Sequence, residues 1–168
     1  VCISPTRFYV HQSTQKEFTE ATVAFTRENK LGNGLDDGVD VGPMFESKAL
    51  EKTQQMVEQA VDVGARVLTG GQRAAQFEKG YFYEPTVLTD VTREVAIMTE
   101  EPFAPVMPIM NFDSIDTAIA QANDTRYGLA AYVLTNDISA AMRMAETPRS
   151  GSTPAWAARP VILMSKPI

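Results

Sequence analysis

Cysteine and histidine are all but missing from this chain, with one of each in 168 residues, Cys2 and His11. A lone cysteine makes no internal disulfide, which fits a reducing compartment such as the cytoplasm. A lone histidine excludes a multi-histidine metal centre, and no Cys/His pair stands at zinc-ligand spacing, so no metal site is expected. No apolar run approaches the ~20 residues of a membrane helix. Basic residues are the minority, 15 against 21 acidic, and the formal net charge is −6. Binding to a phosphate backbone rests on clustered Lys and Arg. No such cluster is present, so neither nucleic acid nor membrane is an expected partner.

What is present is ordinary globular material, 44% apolar and 21% charged. A chain of this length suits one domain and can bury a substantial core. It opens on Val1-Cys2-Ile3-Ser4-Pro5-Thr6 and runs at once into a strand-like Arg7-Phe8-Tyr9-Val10. With no initiator Met, it reads as cut from something longer.

Thr14-Gln15-Lys16-Glu17 has the form of a capping box. Phe18, Ala21 and Phe25 follow at helical spacing and predict one apolar stripe on an otherwise polar helix, ended by Gly32-Asn33-Gly34. The turn-rich 35–43 holds three aspartates but lacks the closing glutamate of a calcium loop, so it reads as a solvated acidic loop. A second helix over 47–63 is expected to bury Leu50, Val57, Ala60 and Val61, with Gly64 at its C-terminal cap. A short strand, 65–69, closes on Gly70-Gly71; that pair lacks the spacing of a dinucleotide loop and reads as a plain turn.

The β-prone 80–88 contains Pro85, which assigns it to a sheet edge or an arm. A strand over 106–112 leads to a helix capped by Asp113 with Asp116, carrying Ile115, Ala118, Ile119 and Ala122 on one side. The apolar 127–134 predicts a strand covered on both faces. Asn136 or Asp137 opens a last helix with Ile138, Ala141, Met142 and Ala145 inward, stopped by Pro148. Alternating strands and helices define an α/β class with a mostly parallel open sheet flanked by helices, and no second domain. The sheet's next strand is not convincing after Pro148: Val161-Ile162-Leu163-Met164 is too short to place. Residues 148–168 are therefore expected to be an atypical, irregular tail, and a sheet short of a strand predicts an exposed apolar patch.

Three segments together resemble the aldehyde dehydrogenase superfamily. Val1-Cys2-Ile3-Ser4-Pro5-Thr6-Arg7-Phe8-Tyr9-Val10 is similar to the end of its active-site signature. Glu100-Glu101-Pro102-Phe103-Ala104-Pro105-Val106 is similar to Glu-x-Phe-Gly-Pro-Val. Ala122-Asn123-Asp124-Thr125-Arg126-Tyr127-Gly128-Leu129-Ala130-Ala131 is the third. Gly42-Pro43-Met44, Gly70-Gly71 and Phe82-Tyr83-Glu84-Pro85-Thr86-Val87 occur in the family's order.

The resemblance implies a partial catalytic domain over 1–147, incomplete at both ends. It implies that Cys2 is the nucleophile of an aldehyde oxidation with NAD or NADP. A thiolate adds to the aldehyde carbon, a hydride leaves for NAD(P)+, and water hydrolyses the thioester. The backbone N–H of Cys2 would donate to the oxyanion. Glu101 matches the carboxylate that accepts from the nicotinamide-side ribose hydroxyls, and Phe103 the aromatic packed beside them. The Ser-Pro-Thr-Arg run resembles members acting on semialdehydes such as succinate semialdehyde. His11 is read as structural.

Some of the text departs from the family. Ala104 stands where glycine is usual. The general-base glutamate, the oxyanion asparagine and the dinucleotide-binding domain lie upstream of the nucleophile in the family and are not in this chain. The expected partners are thus an aldehyde substrate, the missing cofactor domain of the same parent chain, and further copies in a homo-oligomer. Past about Glu146, Ser152-Thr153-Pro154-Ala155-Trp156 replaces the family's Val-Asn strand and Pro-Phe-Gly-Gly, and we read this part as truncated or out of frame. The competing reading is a non-catalytic fragment or interaction module that keeps the fold, since a nucleophile without base or cofactor domain cannot complete turnover.

Overall fold

The structure is a computed structural model that describes residues 4–125 and 131–146, together with the backbone of 161–165. Its elements, in order, are β1 (Arg7–His11), α1 (Gln15–Glu28), α2 (Ser47–Asp62), β2 (Arg66–Thr69), β3 (Thr86–Thr89), α3 (Ala96–Thr99), β4 (Val106–Phe112), α4 (Ile115–Asn123), β5 (Tyr132–Thr135), α5 (Ile138–Glu146) and β6 (Val161–Ser165). The expected α/β class and the mostly parallel sheet are present. The chain divides into two compact units, one of residues 1–18 and 109–168, the other of 19–108.

In the first unit the strand order is β4-β1-β6-β5, every pairing parallel. Phe8, Tyr9 and Val10 of β1 are buried in succession, as a strand covered on both faces requires. Each such side chain contributes about 1.5–3 kcal/mol of burial. His11 ends β1 structurally: Nδ1 lies 2.8 Å from Ser13 Oγ, Nε2 lies 3.2 Å from the Asp113 carbonyl, and the ring meets Phe112 edge-on.

Val161–Ser165 corrects the expectation of an irregular tail. Its backbone pairs with β1 on one side and β5 on the other. A run of four apolar residues suffices for a strand when both neighbours already exist, and periodicity cannot reveal that. The remainder of the expected tail lies outside the described residues, as do residues 127–130, the first half of the predicted 127–134 strand. Its described part, β5, is short and outermost in the unit's order, with Tyr132 and Leu134 exposed.

Two helices of this unit correct their predicted caps and faces. Ser114, not Asp113 with Asp116, is the N-cap of α4, accepting from the Thr117 N–H at 3.2 Å. Asp113 accepts from the Thr117 hydroxyl, and Asp116 pairs with Arg143 of α5. Asp137 does open α5, its Oδ1 accepting from the N–H groups of Ser139 and Ala140. The buried residues of α5 are Ala140 and Met144, whereas Ile138 and Met142 are exposed. So much of Ile-Ser-Ala-Ala-Met-Arg-Met-Ala-Glu is apolar that the sequence marks no single face.

The second unit has strand order β2-β3-β4, β2 antiparallel and at the edge, β3 parallel to β4. All four residues of β3 are buried. Pro85 does not place this strand at an edge, because it precedes Thr86, the first paired residue, and no ladder donor is lost. Pro108 falls at the last residue of β4 paired with β3. α2 buries Leu50, Thr53, Met56, Val57 and Ala60, while the expected Val61 is exposed. Gly64, at φ +110°, ends it: its N–H donates to the Val61 carbonyl and that of Ala65 to the Ala60 carbonyl, a Schellman arrangement. The stripe predicted for α1 is not buried. No residue of that helix is buried, and Phe25 is 68% exposed.

Candidate active site

Of the three residues singled out, Cys2 lies outside the described residues. Glu101 and Phe103 are both described and share one loop of the second unit, between α3 and β4. The loop leaves α3 at Glu100, whose N–H donates to the Ala96 carbonyl at 2.8 Å, and its Pro102 is buried. It enters β4 after Pro105, whose carbonyl accepts from the Thr86 N–H at 2.9 Å. Glu101 is half-buried.

Phe103 is the unusual residue. Its φ is +44° and the residue is 60% exposed. Among the described non-glycine residues only Asp90 also has a positive φ, and Asp tolerates that region far better than a bulky aromatic. Strain of this kind persists only where the surroundings impose it, and it gathers at binding and catalytic sites. Exposing a large ring gains nothing for folding. The loop therefore carries a half-buried carboxylate and an exposed aromatic residue two positions apart. Ala104 takes the family's glycine position without a positive φ, so the substitution leaves the backbone unstrained there.

Sequence reasoning missed the support beneath this loop. Lys52 and Gln59 of α2 reach the two ends of α3: Lys52 Nζ lies 2.6 Å from Glu100 Oε2, and Gln59 Oε1 accepts from the Ala96 N–H at 3.1 Å. Their separation of seven residues was the available signal. No group of His, Cys, Asp and Glu suited to a metal ion occurs among the described residues. Nor is any described helix long and apolar enough to cross a membrane.

The profile of the Aldehyde dehydrogenase family matches residues 1–161, and the chain belongs to that family. The match runs past Glu146 into the segment where a departure was expected.

Among its relatives, the probable succinate-semialdehyde dehydrogenase, NADP(+), of Sinorhizobium fredii is 40% identical over 145 residues, covering 86% of this chain and 29% of that protein. The glutarate-semialdehyde dehydrogenase of Pseudomonas putida is 39% identical over 145 residues, with the same two coverages. The crystal structure of succinate-semialdehyde dehydrogenase from Burkholderia pseudomallei superposes with a TM-score of 0.85 at 33% identity, over 97% of this chain and 32% of that one. The chain thus spans about three-tenths of the length of these relatives.

Proposed function

We propose that the intact protein carrying this chain oxidises an aldehyde, of the semialdehyde type, to the carboxylic acid with NAD or NADP. The observation that carries this reading is Phe103, exposed on a strained backbone beside Glu101 in a loop that resembles the family's cofactor-binding segment. An ionised carboxylate accepts from a diol, and an exposed ring packs beside a ribose and nicotinamide, so these residues fit the nicotinamide half of the cofactor. Bound NAD(P)+ supplies the hydride acceptor. Glu101 would orient the ribose through its hydroxyls, and Phe103 would shield the adjoining face from water. The Cys2 thiolate adds to the aldehyde carbon; once the hydride has left, water cleaves the thioester to give the acid and free thiol. The semialdehyde class is supported by the Ser4-Pro5-Thr6-Arg7 run and by the names of the relatives above.

The reading includes a homo-oligomeric intact protein in a reducing, cytoplasmic setting, supported by the single cysteine and by the exposed Phe25 and Phe45, apolar surface that an assembly would cover. The test is NAD(P)H formation from succinate semialdehyde. The intact protein should turn over and its Cys2→Ala variant should not, whereas the isolated 168 residues should give no turnover. Silence from the intact protein on a panel of aldehydes would favour the non-catalytic module instead.

A further inference from the structure

α3 is a single turn of four residues, too short to persist on local hydrogen bonds alone. Its N-cap position is Val95, which offers no side-chain acceptor. Gln59 supplies that acceptor from α2, taking the Ala96 N–H at 3.1 Å. At the other end Glu100, the C-cap residue, is held by Lys52 at 2.6 Å. Seven residues on an α-helix bring two side chains back to within about 20° of the same face, roughly 10 Å apart along the axis. Lys52 and Gln59 therefore form one ridge of α2, which packs against α3 and grips both of its ends. Ile97 and Met98, between the two grips, are buried.

The chain leaves this clamp directly into Glu101 and Phe103. A bulky residue at φ +44° needs both flanks fixed. The Thr86–Pro105 hydrogen bond fixes the downstream flank, and the clamp fixes the upstream one. We propose that Lys52 and Gln59 are positioning residues for the cofactor: through α3 they set where the Glu101 carboxylate and the Phe103 ring stand before NAD(P)+ arrives. This rests on the proposed dehydrogenase function. Both partners of the Lys52–Glu100 pair are partly exposed, 52% and 39% for their side chains, so the pair acts by restricting geometry more than by its own strength.

The experiment uses the intact protein and three variants: Lys52→Met, Lys52→Arg, and Lys52→Met with Gln59→Leu. Loosening the loop lowers the fraction of protein competent to bind, and apparent affinity falls with that fraction. A surface pair and one neutral hydrogen bond predict about a threefold rise in the NAD(P)+ dissociation constant for Lys52→Met and about tenfold for the double variant. Lys52→Arg should restore it, and kcat at saturating NAD(P)+ should stay close to wild type. Hydrogen exchange should independently rise at residues 96–104 in the double variant and return to normal in Lys52→Arg. Wild-type affinity in the double variant overturns the inference, whether or not exchange rises. If the wild-type protein itself binds no NAD(P)+, the dehydrogenase reading fails and the inference with it, a pattern distinguishable from the first.

Discussion

The Tyr83 hydroxyl is a buried donor with no hydrogen-bond partner among the described residues, and the residue is only 1% exposed. Burial, followed by the charges of Glu58 and Glu84, pushes its ionisation well above the ordinary tyrosine range. Tyr83→Phe removes the stranded oxygen and leaves the ring in place. An unsatisfied buried polar group costs about 1–3 kcal/mol. Allowing for the small void left behind, we expect the variant to be more stable by about 1 kcal/mol at pH 7. For a protein of 150–250 residues that corresponds to a rise in Tm of about 2–4 °C. The gap should widen with alkalinity. Below about pH 10 the phenol is neutral in both folded and unfolded chains, so ionisation contributes nothing. Above that, the unfolded chain ionises while the folded one holds its proton, and the parent loses stability that the Phe variant keeps. Urea denaturation of both proteins at pH 7 and at pH 10.5 (about half a unit above the usual tyrosine value) measures both effects. A Phe variant less stable by 1 kcal/mol at pH 7 would show that the hydroxyl has a partner and would refute the reasoning.

Other substitutions test the fold. Leu88, fully buried in β3, should cost about 2–5 kcal/mol when changed to Ala, seen as a lower denaturation midpoint. Gly70 sits at φ +70°, and a Cβ there would collide with the Pro85 carbonyl oxygen. Gly70→Ala should therefore cost about 2 kcal/mol or more, whereas Gly34→Ala, with open space around it, should stay within about 1 kcal/mol of the parent. Asp137→Ala removes the acceptor for two N–H groups at the start of α5 and should cost about 1 kcal/mol by the same assay.

Which of these features could be read beforehand follows from where the information lies. β1 was legible because Arg-Phe-Tyr-Val is apolar and β-prone without interruption, and α2 because Gly64 and a consistent face mark it. Caps stated by one residue's chemistry, such as Asp137, were legible too. The α4 cap was not, because Asp113, Ser114 and Asp116 all have capping chemistry and only backbone geometry selects Ser114. β6 was illegible because its pairing partners lie about 150 residues upstream and about 30 before it. Pro85 misled because a proline one residue before a ladder looks, in sequence, like one inside it. At the site, the resemblance named Glu101 and Phe103, but a positive φ at an aromatic residue such as Phe103 leaves no mark in the sequence. The Lys52–Gln59 ridge was written in the sequence as a seven-residue spacing whose meaning depends on α3 lying alongside.

The central claim is that Cys2 carries the acyl group. Mixing the intact protein with succinate semialdehyde and NAD(P)+, quenching in acid within a turnover, and mass analysis of the peptide containing Cys2 tests it directly. The account predicts a succinyl adduct on Cys2 that forms only with both reactants present and is absent from Cys2→Ala. Turnover that persists in Cys2→Ala, or an adduct at another residue, would contradict it.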